Sequence, residues 1–128
     1  MDNKEPDISG GTENKAFDAE EMLDTFMNNE EMALPLLSHF VERTKSQLEE
    51  FPALKIAEDW ETARRYAHMI RGAALSMGGS ELGKAAIRLE KASLAETKDD
   101  VNGAYLAVCN AYDRYKIEAL KFISDRTN

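Results

Sequence analysis

The sequence predicts an all-α protein, an up-and-down four-helix bundle preceded by an additional short N-terminal helix. Two observations carry this. Apolar residues recur at helical spacing from residue 17 onward, and no run alternates apolar with polar residues long enough for a strand. Only three prolines occur in 128 residues, and the polar breaks between periodic segments are short, as antiparallel helix neighbours require.

Residues 1–16 mix Gly, Asn, Asp, Lys and Pro with almost nothing apolar, the composition of a disordered tail, and residues 17–126 form the predicted bundle. A short helix is expected from about Asp18 to Asn28, carrying Met22, Leu23 and Phe26 on one side and ended by the Asn28–Asn29 pair. The next begins near Glu30 and tolerates Pro35 only if its first turn lies there. Leu36, Leu37, Phe40, Val41, Thr44 and Leu48 trace its face to about Glu50, where Phe51 and Pro52 are expected to interrupt it. Asp59 is a good N-cap, because its carboxylate can accept from the free N–H groups of the first turn. That helix should reach Met77, with Gly78 and Gly79 as a left-handed stop and Ser80 capping the helix after it. Leu82, Ala86, Leu89 and Ser93 then mark one stripe. A polar break from Thr97 to Asp100 precedes a last helix holding Val101, Ala104, Tyr105, Val108, Tyr112, Tyr115, Leu120 and Phe122.

The net charge is −8, which disfavours nucleic acid and anionic membrane partners. No segment is long and apolar enough to cross a bilayer, and no secretory signal opens the chain. The lone cysteine, Cys109, fits a reducing compartment, so the cytoplasm is the expected location. Charge is unevenly spread: residues 60–91 carry +3 and the remainder −11. Such a patch points to a specific anionic partner, an ordinary solvated helix face being the alternative.

The two histidines differ. On a helix turning ~100° per residue, Ala63, Tyr66, Ile70, Ala73, Ala74 and Met77 lie opposite His68 and make the predicted core stripe. Glu61, Arg64, Arg65, Arg71, Gly72 and Leu75 share the side of His68. His68 is therefore expected to face solvent, mid-helix, among cations. His39 stands among Leu36, Leu37, Phe40 and Val41 with no useful basic partner, and reads as structural or incidental.

The segment Ala67-His68-Met69-Ile70-Arg71-Gly72, followed by small residues to Gly78, resembles the histidine-containing phosphotransfer (HPt) family, whose characteristic segment is Ala-His-x-(Leu/Ile)-Lys-Gly. The pair Asp59–Trp60 opens that helix at the expected distance. Leu82, Ala86, Leu89 and Glu90 match the family's L-x-x-x-A-x-x-L-E pattern. The resemblance spans roughly residues 17–125, and Arg71 in place of the commoner lysine is its main departure. It implies that His68 accepts a phosphoryl group and that Arg71, Arg64 and Arg65 stabilise the phosphoryl oxygens. Gly72 leaves room for close approach, and Leu75, Ser76, Lys84 and Arg88 help a receiver dock.

An imidazole titrating near ~6.5 is largely neutral and nucleophilic at cytoplasmic pH. Arginine adds a forked donor where lysine is a point charge. Met69 stands where histidine kinases place an acid, and no second domain is there to bind ATP. The expected role is a carrier without kinase activity. It would take the group from the aspartyl phosphate of one response-regulator receiver domain, a hybrid histidine kinase's among the candidates, and pass it to another. No cofactor is expected on this chain, Mg²⁺ belonging to the receiver, and a monomer is expected.

A phosphate-binding decoy, GGSELGKA from Gly78 to Ala85, lacks the hydroxyl that would hold Mg²⁺ and follows a helix where a P-loop follows a strand. No ligand spacing suggests a metal. Two rivals stand beside the carrier: a helical module that docks on receivers or kinases without carrying phosphate, and a scaffold that oligomerises through an apolar stripe.

Overall fold

The structure is a computed structural model that describes residues 15–127. The tail expected over residues 1–16 lies outside them, save for Lys15 and Ala16. Five helices follow: α1 (Ala19–Thr25), α2 (Glu30–Ile56), α3 (Trp60–Ser76), α4 (Ser80–Ala95) and α5 (Lys98–Thr127). Helices α2 to α5 form the four-helix bundle, joined by two- or three-residue connections that make neighbours antiparallel. No strand occurs among the described residues.

Local chemistry explains the boundaries. Asp18, Asn29 and Asp59 each accept from a backbone N–H three residues on, capping α1, α2 and α3. Residues Met27, Asn28, Glu58 and Glu96 take left-handed φ values of 55° to 62° and turn the chain out of a helix. At the end of α3 the N–H of Gly79 donates to the Ala74 carbonyl (2.8 Å), closing the six-residue Schellman loop around Gly78.

Three sequence expectations change here. α2 continues through Pro52 to Ile56. Proline cannot donate to the carbonyl four residues back, but the Tyr105 hydroxyl donates to that Leu48 carbonyl instead (2.7 Å). Only Gly78 supplies the left-handed stop, at φ +70°. Gly79 is the N-cap of α4, without a side-chain bond, so Ser80 is already the first helical residue. Gly79 lacks a side chain for a different reason, since a Cβ there would lie 2.9 Å from the Tyr115 ring. Finally, the break before α5 ends at Thr97 and the helix starts at Lys98, three residues earlier than the polar composition suggests.

The core is built from Leu37, Phe40, Val41, Phe51, Ile70, Leu82, Leu89, Val101, Val108 and Tyr115, among others. α2 and α5 run about 40 and 45 Å, against about 25 Å for each helix of the α3–α4 hairpin. They therefore outrun it at the end where Glu30 pairs with Arg126. α1 and its approach close that end. Phe17 meets Tyr115 and Phe122 edge-on, Met22 is fully buried, and the Asp18 N–H donates to the Gly78 carbonyl (2.8 Å).

Candidate functional site

α3 places the site. Its N-cap, Asp59, is tied to Thr62 by hydrogen bonds that hold the carboxyl below its usual range. Its buried residues are Ala63, Ala67, Ile70 and Ala74, so the core stripe is rotated about 45° from the predicted centre toward Ala67. Tyr66 and Ala73 are half-buried at its edge, and the Tyr66 hydroxyl donates to Glu50 (2.6 Å). The cause is packing. α3 presses chiefly on α4, which draws Ala67 inward and swings His68 and Arg71 toward the α3–α4 seam.

His68 sits half-exposed on that seam, its side chain 53% accessible. Nδ1 lies 2.9 Å from Glu90 Oε2 of α4 and 3.1 Å from Arg71 Nη2, while Arg71 Nη1 is 3.6 Å from Glu90 Oε1. One nitrogen cannot donate to a carboxylate and accept from a guanidinium at once. With its proton on Nδ1 the ring donates to Glu90, and Arg71 is held by Glu90 as an ion pair. Nε2 then keeps its lone pair, and no hydrogen bond to it is formed among the described residues. Glu90 is the more sheltered partner, with a side chain 19% accessible. The Glu90 carboxylate favours the tautomer with its proton on Nδ1, in which Nε2 is the ring's lone-pair nitrogen.

Of the residues read from the sequence, the structure brings Arg71 to His68. Arg64 instead reaches Glu61 (3.5 Å) and Arg65 reaches Thr62 Oγ1 (3.4 Å), each within its own turn. Gly72 is exposed, and a Cβ there would meet nothing within 4 Å. Nothing inside the fold requires a glycine at that position. Leu75 is exposed and leans on Gly83 of α4, and Ser76 Oγ donates to the Gly72 carbonyl (3.4 Å). Lys84 and Arg88 are exposed on α4. His39 is exposed on α2.

Glu90 is the site residue that sequence reasoning missed. It stood in view as the last letter of a helix pattern, but twenty-two residues separate it from His68, and only the pairing of α3 with α4 joins them. Among the described residues no group of three or more His, Cys, Asp or Glu side chains could hold a metal ion. No helix there is long and apolar enough to cross a membrane.

A family model, the Hpt domain, matches residues 35–118, a span that holds His68, Arg71, Gly72 and Glu90. Among solved structures, the chain is similar to the HPT domain from the Hpt sensor hybrid histidine kinase from Shewanella. The TM-score is 0.77, over 88% of this chain and 97% of that one, at 15% identity, a likeness of fold. No curated protein matches the chain.

Proposed function

The chain belongs to the Hpt domain family, phosphotransfer modules of two-component phosphorelays, and from that premise we propose that it relays a phosphoryl group through His68 between receiver domains. Hpt domains are phosphocarriers and not kinases. The observation that carries the reading is the Glu90 contact to Nδ1 on a half-exposed ring, which leaves Nε2 free to react.

The step balances simply. The Nε2 lone pair attacks the phosphorus of an aspartyl phosphate on the donor receiver. The P–N bond forms as the P–O bond to the aspartate breaks, and the carboxylate leaves with the electron pair. The proton stays on Nδ1, held by Glu90. Arg71, one turn from His68, can turn its guanidinium from the Nδ1 edge to the arriving phosphoryl oxygens. Reversal against a second receiver's aspartate passes the group on. In-line transfer of this kind rests on positioning and charge, and the receiver brings the Mg²⁺. Gly72 leaves open the space through which that receiver approaches.

The test is to mix the protein with a phosphorylated receiver domain and follow label that is acid-labile and base-stable. Wild type takes the label and His68→Gln does not. Label on the His68→Gln chain would move the acceptor elsewhere. If wild type stays unlabelled with every receiver of the same organism, the chain is a binding module that carries no phosphate.

A further inference from the structure

Glu90 sets a full negative charge beside the nitrogen that does not react. Its Oε2 lies 2.9 Å from His68 Nδ1, and its side chain is the more sheltered of the two, so solvent screens the charge weakly. A neutral acceptor, such as a glutamine amide, would favour the same tautomer. Orienting the unphosphorylated ring therefore needs a carbonyl oxygen but not a charge. The charge acts once the ring itself becomes cationic.

Attack by Nε2 on phosphorus leaves a ring with the phosphoryl group on one nitrogen and a proton on the other. From that cationic state the ring departs as neutral imidazole, Nε2 taking back the electron pair of the P–N bond. Once the Nδ1 proton is lost, the same cleavage has to release an imidazolate anion, a far poorer leaving group. Phosphohistidine is for this reason labile in acid and stable in base. Imidazole nitrogens titrate near pH ~6.5, so close to neutrality a phosphorylated ring without help is divided between the two forms.

Two charged groups face the ring of His68. Arg71, on the same helix, lies 3.1 Å from Nδ1, and Glu90 reaches across from α4. The other candidates are turned elsewhere. Arg64 reaches Glu61, Arg65 reaches Thr62, and Glu50 of α2 accepts from Tyr66. Lys91 leaves α4 about 100° around from Glu90. Before transfer Arg71 offsets Glu90, with 3.6 Å between Nη1 and Oε1. As the guanidinium moves to the phosphoryl oxygens, the carboxylate keeps its charge for Nδ1 alone, and an opposite charge in contact favours the protonated ring.

We propose that the charge of Glu90 keeps the proton on Nδ1 of phosphorylated His68, and so holds the P–N bond ready to break on the second receiver through neutral and mildly alkaline pH. The same charge limits how long the phosphoryl group is stored, because a ring ready to leave for an aspartate is ready to leave for water. This rests on the phosphocarrier reading. Glu90 acts through the imidazole and is a positioning residue.

The experiment loads the chain with potassium phosphoramidate, which needs no receiver, in a His39→Gln background where His68 is the one histidine left. Phosphorus NMR follows loss of phosphohistidine to water from pH 5.5 to 9, and labelled gels follow transfer to receiver domains of the same organism. Glu90→Gln keeps an acceptor for Nδ1 and removes the charge. Its rates match wild type at pH 5.5, where both rings are protonated. At pH 8 they fall to about a tenth of wild type, because its ring sheds the proton about one pH unit sooner. Glu90→Asp, which keeps the charge, recovers part of the difference. Profiles of one shape, superposed or uniformly offset, overturn the proposal and leave Glu90 an orienting group alone. Faster loss from Glu90→Gln at pH 8 overturns it as well. Loaded wild type that gives its phosphoryl group to no receiver at any pH overturns the carrier reading, while the hydrolysis profiles still decide the role of Glu90.

Discussion

At His68 the chemistry is decided by which nitrogen holds the proton. The Glu90 carboxylate offers Nδ1 an acceptor at 2.9 Å, and Glu90 is itself tethered by Arg71. Removing the carboxylate frees the ring to turn and releases the tautomer. Glu90→Ala is therefore expected to slow phosphoryl transfer to His68 by about tenfold to a hundredfold, the range found when the carboxylate that orients a metal-ligating histidine is removed. Fold stability should change little. Quench-flow labelling beside a urea titration separates the two effects. Gly72 gives the complementary case. With no neighbour for its Cβ, Gly72→Ala should stabilise α3 by about 0.5–1 kcal/mol. On the proposed reading it should nonetheless slow transfer, because the added methyl group takes up open space one turn from His68 that a docking receiver would use. Faster transfer, or a less stable fold, would count against a glycine kept for the partner.

At the level of elements, the tyrosines of α5 do the joining. Tyr105 donates to Leu48, Tyr112 to Val41 and Tyr115 to Met77, so one helix ties down α2 twice and the end of α3 once. Tyr105→Phe leaves the carbonyl opposite Pro52 without a donor. It is expected to cost about 1–3 kcal/mol in urea unfolding, the penalty for an unsatisfied acceptor. The α3–α4 turn has a sharper demand. A Cβ on Gly78 would collide with the Asp18 carbonyl, and φ +70° is itself strained for alanine by about 1–2 kcal/mol. Gly78→Ala should cost more than Tyr105→Phe, and it should loosen α1, read as faster amide exchange at Asp18. The bundle also holds polar atoms it does not use. Ser93 Oγ is buried without a partner, so Ser93→Ala should raise stability by up to about 1 kcal/mol.

Across the whole molecule, burial of phenols sets the alkaline limit. Burial pushes Tyr105 and Tyr112 up to about 12, and Tyr115 higher still. In an unfolded chain all three titrate near ~10. Folded tyrosines keep their protons where unfolded ones lose them, so their contribution is complete below pH ~10 and is lost as pH climbs toward 12. Urea midpoints should hold to about pH 9 as far as these groups decide and fall from pH ~10 upward, with a shallower fall in Tyr112→Phe. Charge works at the same scale. The stretch of residues 60–91 carries a net charge of +3 on a chain whose remainder is −11, so on the proposed reading it is the part that favours an anionic partner.

The helical class, the four main helices, the acidic N-cap at Asp59, and an outward His68 with Arg71 one turn on were all legible in the sequence. Each depends on residues within a turn or two of one another, where helical periodicity and capping act. The continuity of α2 through Pro52 was not legible, because its compensation comes from Tyr105, fifty-seven residues away from the Leu48 carbonyl it satisfies. Nor was the rotation of α3 that buries Ala67 in preference to Tyr66 and Ala73, since an amphipathic stripe fixes a face only to within a residue's turn and the neighbour selects the rest. The same limit hid Glu90. A sequence shows which side of a helix meets solvent, but the partner of a surface histidine lies on another helix, and only the packing of α3 against α4 decided that His68 faces a carboxylate.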